Sequence, residues 1–104
     1  MTTSPTALTL RALRRDGYTA EVVEHWNPHA RVRNDLFGVI DVLALKGAET
    51  LAVQATSDSN VSARVRKIAE SEHIAAIREA GWTVVVHGWS KKGRNWVCRT
   101  VDCS

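Results

Sequence analysis

Apolar residues in this chain change their spacing several times, and each change marks a boundary between elements. Leu8, Leu10 and Leu13 follow a Ser4-Pro5 start, with Arg14 and Arg15 at the far end and Gly17 just beyond. A capping hydroxyl, a proline in the first turn, cations in the last and a glycine stop together predict a helix. From Tyr18 to Trp26 the pattern is that of a strand, with Tyr18, Ala20, Val22 and Trp26 on one side and Glu24 sharing it. Asn27 to Asn34 is polar and contains Pro28, which predicts a loop. Leu36 to Leu45 is almost continuously apolar, as in a strand covered on both faces, with Asp41 in its middle. Thr50 to Thr56 reads as the third strand.

The Lys46-Gly47-Ala48-Glu49 turn joins these two strands. Glycine at its first central position predicts a two-residue type II′ hairpin. Residue i then faces residue 95 − i, so Lys46 opposes Glu49 and Asp41 opposes Gln54. Directly opposed residues share a face with Cβ atoms roughly 5 Å apart, so an acid and an amide are placed side by side. A slip of one residue would separate them.

Asp58-Ser59-Asn60 leads into a helical stretch from Val61 to Ala80. Val61, Val65 and Ile68 form one stripe, Ser71 and Glu72 interrupt it, and Ile74 and Ile77 resume in another phase, which predicts a break near Ser71–His73. Gly81 stops the helix, Trp82 to Trp89 is a β-branched strand, Ser90 to Arg94 a basic turn, and Asn95 to Val101 a closing strand. The order α-β-β-β-α-β-β predicts an α/β (α+β) fold with a mixed sheet. Trp82 reads as a core anchor, and Trp89 and Trp96 as cross-strand packing.

At 104 residues the chain suits a single domain, 1–104, and 44% hydrophobic with 24% charged residues is a globular balance, not a disordered one. No apolar run approaches the length of a membrane-crossing helix, and Met-Thr-Thr-Ser-Pro is not a signal sequence. The expectation is therefore an intracellular, cytoplasmic protein with no membrane partner. Cys98 and Cys103 make neither a disulfide framework nor a zinc site and are expected to be reduced thiols. The net charge of +3 is uneven: residues 1–60 carry six Lys/Arg against seven Asp/Glu, and residues 61–104 carry eight against four. A basic half beside a slightly acidic one suits a polyanion partner.

A carboxylate within an apolar strand is costly unless it is paired or holds a cation. Asp41 has no basic partner at strand spacing, so two readings stand: a strand-end acid tied to the loop or to Arg31 or Arg33, and an oxygen ligand of a divalent metal. Asp35 and Glu24 are the other carboxylates to weigh. In the metal reading Gln54 adds its carbonyl oxygen and Glu24 a second carboxylate, around Mg²⁺ or Mn²⁺.

Gly38-Val39-Ile40-Asp41-Val42-Leu43-Ala44-Leu45-Lys46-Gly47, followed by Leu51-Ala52-Val53-Gln54-Ala55-Thr56, resembles the catalytic hairpin of the PD-(D/E)XK nuclease superfamily. It is nearest in pattern to Holliday junction resolvase-like and VRR-NUC-like nucleases, in the small phage-type form. The element order over roughly residues 5–90 suits that restriction-endonuclease-like core. The resemblance implies Asp41 at the metal-binding aspartate and Gln54 at the metal-binding glutamate. Thr56 takes the position of the catalytic lysine, where it would orient water or phosphate. Lys67, on the following helix, is the candidate replacement cation. The upstream helix lacks the usual glutamate, so Glu24 or Glu21 would substitute.

The expected function is metal-dependent hydrolysis of phosphodiesters in DNA, on branched, Holliday junction-like substrates, by a homodimer. The alternative is a degenerate nuclease fold that binds nucleic acid or protein. The basic clusters expected to contact DNA are Arg31 and Arg33 (with His25 and His29 nearby), Arg64 and Arg66, and Lys91, Lys92 and Arg94, between Trp89 and Trp96.

Overall fold

The computed structural model describes residues 3–104. Helix α1 spans Pro5–Arg15. The Ser4 hydroxyl accepts the Ala7 N–H at 3.1 Å, and the chain leaves the helix at Gly17 with φ +94°. Strand β1 covers Thr19–Val22. A separate hairpin follows, β2 His25–Asn27 and β3 Val32–Asn34. Then come β4 Val42–Lys46 and β5 Glu49–Ser57, a short 3₁₀ turn at Asp58–Asn60, and helices α2 Val61–Ala69 and α3 Ile74–Glu79. Strands β6 Thr83–Lys92 and β7 Asn95–Asp102 close the domain. The fold is mixed α/β, with the helix broken where the stripe changes phase.

The five-stranded sheet runs β1-β4-β5-β6-β7, with β5 and β6 parallel and every other pair antiparallel. Alternation along β5 sends its residues into two cores. Leu51 and Val53 join Leu13, Ala20, Val42, Ala44 and Val85 on the α1 side. Ala52 joins Val61, Ile68, Ile77, Val84 and Val86 on the α2/α3 side. Gln54 and Thr56 continue the second series, so both point to the α2 face near the C-terminal end of β5.

The hairpin register is as predicted: Lys46 pairs with Glu49 and Val42 with Val53. Gly47 has φ +59° and Ala48 does not share the positive region, as a type II′ turn requires.

Three expectations are corrected. The strand expected over Tyr18–Trp26 stops at Val22, and the expected loop 27–34 carries β3 of a separate hairpin. Its turn is built by Asn27, whose Oδ1 accepts the N–H groups of His29 and Ala30 at 3.0 and 3.2 Å. A short polar strand pair without a buried face leaves almost no periodic signal. The apolar run Leu36–Leu45 is likewise not one strand. Phe37 and Gly38 have φ of +54° and +76°, and the Leu36 N–H reaches back to the Ile40 carbonyl at 2.9 Å. Val39 and Ile40 are apolar because this loop plugs the α2/α3 core, where they are 3% and 0% exposed. Asp41 therefore sits at the mouth of β4, not in its middle.

Gly88 on β6 lets the start of α2 approach closely. A Cβ there would collide with the Val61 side chain and lie 3.3 Å from the Asp58 backbone. Arg99 pins the same junction through Asp58, Nε to Oδ1 at 2.8 Å.

A buried polar group escaped the sequence reading. Thr9, on α1, is fully buried, accepts the Trp89 indole N–H at 2.9 Å, and lies 3.2 Å from His87 Nδ1. If the threonine hydroxyl donates to that nitrogen, all three groups are satisfied. Trp89 is thus a buried anchor for α1, whereas Trp96 is 41% exposed, with Lys91 over its ring. The two tryptophans are not directly opposed: Trp89 faces Cys98 and Trp96 faces Lys91. Trp82 is half-buried against the α2/α3 core, and burial raises the thiol pKa of both free cysteines.

Candidate metal centre

Three carboxylates converge although they come from three different connections. Glu24 follows β1, Asp35 follows β3 and Asp41 precedes β4. Their ligand oxygens lie within 4.8 Å of one another. Extension of the β4–β5 register puts Asp41 opposite Gln54, and the amide Nε2 donates to Asp41 Oδ2 at 2.6 Å. It also reaches Asp35 Oδ2 at 3.4 Å. The same Asp41 oxygen accepts the Ala55 N–H at 2.8 Å, a backbone donor just past the end of the β4 ladder.

Asp41 is 4% exposed. Burial first, and then Asp35 beside it, pushes its pKa up to about 7, against the opposing pull of the Ala55 and Gln54 donors. Cations balance the cluster from outside. Arg33 Nη1 lies 3.0 Å from Glu24 Oε1, and Lys67 Nζ lies 3.3 Å from Asp35 Oδ2.

These groups line an open cleft of about 600 Å³. Its walls add Thr56 and Ser57 from the end of β5, Asn60 and Arg64 from the start of α2, and Ser4 to Thr6 at the N-terminus of α1. Lys67 and Arg64 are three residues apart, share a helix face and both line the cleft, whereas Arg66 does not line it.

The ligand set suits a hard divalent cation. All the candidate donors are oxygens, with no thiol or imidazole among them. Gln54 adds an independent sign. It is 1% exposed, and its Oε1 is buried with no hydrogen-bond partner. The two ends of an amide are nearly equal in shape. A half-turn of this one would replace a donor facing two carboxylates by an acceptor, an exchange that a cation between them would favour.

The sequence-predicted residues Asp41, Gln54, Glu24, Thr56 and Lys67 therefore meet at one place, joined by Arg33 and Arg64 from the basic set. Arg31, Arg66, Lys91, Lys92 and Arg94 are not among the residues lining the cleft. The last three belong to the β6–β7 hairpin tip. Glu21 is also outside, on β1, 3.5 Å from Arg14. Asp35 belongs to the cluster but was not assigned to it from sequence. The available signal was a pair of aspartates flanking the short Leu36–Ile40 segment, whose Gly38 allows the chain to double back. Among the described residues no helix is long and apolar enough to cross a membrane. No protein-family model matches the chain, and no curated protein or solved structure matches it.

Proposed function

We propose that the chain is a metal-dependent endonuclease that hydrolyses phosphodiester bonds in branched DNA. The observation that carries this reading is the convergence of Glu24, Asp35 and Asp41 within 4.8 Å on the wall of a cleft that also presents Lys67, Arg64 and Arg33. Carboxylates alone would repel a phosphate. Carboxylates flanked by three cations can hold a metal and still receive one.

Asp41, Asp35 and Glu24 are the residues that would hold Mg²⁺ or Mn²⁺, with Gln54 contributing Oε1 after its amide turns. Such an ion, when bound, polarises a phosphodiester oxygen. The protein supplies the rest. Arg64 and Arg33 hold the flanking phosphates as charge-assisted donors. Lys67 offers its ammonium to the scissile phosphate, where negative charge grows in the transition state, and so does the work that Thr56 cannot. Thr56, 4% exposed, offers a hydroxyl that can orient water or a phosphate oxygen. Cutting two strands of a symmetric junction calls for two copies of the site, hence a homodimer.

Labelled branched, single-stranded and duplex DNA, incubated with Mg²⁺ or Mn²⁺, tests the reading. The branched substrate should be cut in the presence of the metal and not in chelator, and Asp41→Ala should abolish cutting. Unchanged activity in Asp41→Ala would refute the assignment. Thr56 in place of lysine favours one rival, a degenerate site. Absence of any Asp41-dependent uptake of Mn²⁺, together with no cleavage of any DNA, would select it.

A further inference from the structure

The β2–β3 hairpin is rooted in the candidate metal centre by both stems: Glu24 immediately precedes β2 and Asp35 immediately follows β3. It belongs to no other sheet. Over residues 25–34 it carries Arg31, Arg33, His25 and His29 and no carboxylate. Its most exposed large hydrophobic side chain is Trp26, at 59%. Trp26 pairs directly with Arg33, so the two project from the same face of the hairpin. Arg33 lines the cleft and holds Glu24 at 3.0 Å. The indole is therefore one cross-strand step from the cleft wall.

We propose that this hairpin is an arm that recognises an unstacked nucleotide beside the phosphate held in the cleft, with Trp26 stacking on the exposed base and Arg31 contacting the backbone. The inference rests on the nuclease reading and adds the structural feature of DNA that the site selects. Charge decides the kind of partner. A protein-docking patch would present several contiguous apolar groups, whereas Trp26 shares its face of the hairpin with an arginine in a segment free of acids. Geometry decides the kind of nucleic acid. Bases in a continuous duplex hide their faces against one another, so a projecting indole stacks without an unstacking cost where a branch, bulge or flap exposes one.

The test is fluorescence anisotropy with the full chain, in Ca²⁺, on a fluorescein-labelled duplex and on the same duplex carrying a central three-nucleotide bulge. The parent protein should bind the bulged DNA roughly tenfold or more tightly than the plain duplex, the scale of one stacked base. Trp26→Ala should bring both DNAs to the duplex level, and Trp26→Phe should recover part of the preference. Arg31→Ala should weaken both and lower the slope of log affinity against log salt by about one. Equal binding of the two DNAs by the parent, or a preference that survives in Trp26→Ala, would overturn the proposal. Mn²⁺ titration of the same samples reports separately on the carboxylate cluster. An absent preference with intact metal uptake condemns the arm alone, and a Trp26-dependent preference without metal uptake upholds the arm while condemning the hydrolytic reading.

Discussion

Asp41→Asn should free the protein from a pH dependence that the parent chain carries. The parent carboxylate is buried, and its pKa lies near 7 in place of the ordinary 3.8, with burial the largest cause and Asp35 the next. A raised folded-state pKa means that the folded protein holds the proton more tightly than the unfolded chain does. That contribution is complete below pH 3.8 and is lost as pH rises through about 7. The interval is roughly three tenfold steps of about 1.4 kcal/mol, so the ceiling is about 4 kcal/mol. Part of that shift comes from the neighbouring Asp35 rather than from burial, and discounting it leaves roughly 2–3 kcal/mol owed to the burial of Asp41. Asparagine has the shape of the protonated acid and no charge to bury, and its carbonyl can still accept from Ala55 and Gln54. Urea unfolding in chelator at about pH 4 and about pH 8 should therefore show the parent losing roughly 2–3 kcal/mol relative to the variant across that range. Comparing parent with variant cancels the titration of the groups that Asp41 does not touch. A parent-minus-variant difference that stays constant, or that favours the parent at the higher pH, would refute the account of Asp41 as a strained acid awaiting a cation.

Metal uptake should follow the same proton in reverse. Calorimetric titration with Mn²⁺ should show affinity rising as pH passes through 7, with protons released on binding, because the carboxylate must be ionised to act as a ligand. Lys67→Met should lower cleavage by about a hundredfold or more while changing urea stability by no more than about 1 kcal/mol, since its partly exposed pairing with Asp35 contributes little to folding. Thr9→Val should cost about 1–3 kcal/mol in urea, because the Trp89 indole N–H and His87 Nδ1 would both lose a buried partner. Gly88→Ala should destabilise by roughly 1–3 kcal/mol, through the collision with Val61, and should lower cleavage as well, because α2 carries Arg64 and Lys67.

Much of the scaffold is legible along the chain because local rules cover it. Ser4 and Gly17 bound α1, Gly47 sets the hairpin, and the phase change at Ser71 and Glu72 divides the second helical stretch. The Asp41–Gln54 pairing is equally legible, since a two-residue turn determines its register and a period of two determines its faces. The tertiary structure alone decided the rest. Leu36–Ile40 reads as strand, but it is apolar because a loop fills a core. Burial demands hydrophobicity whatever the backbone does, so composition could not separate the two cases. Asp35, Glu24 and Lys67 are 11 to 43 residues apart in sequence. Their meeting depends on how a loop, a strand end and a helix pack, and Thr9 meets Trp89 by the same long-range logic. Periodicity carries information about neighbours in one element, whereas a site made of side chains from separate elements exists only once the chain has closed around it.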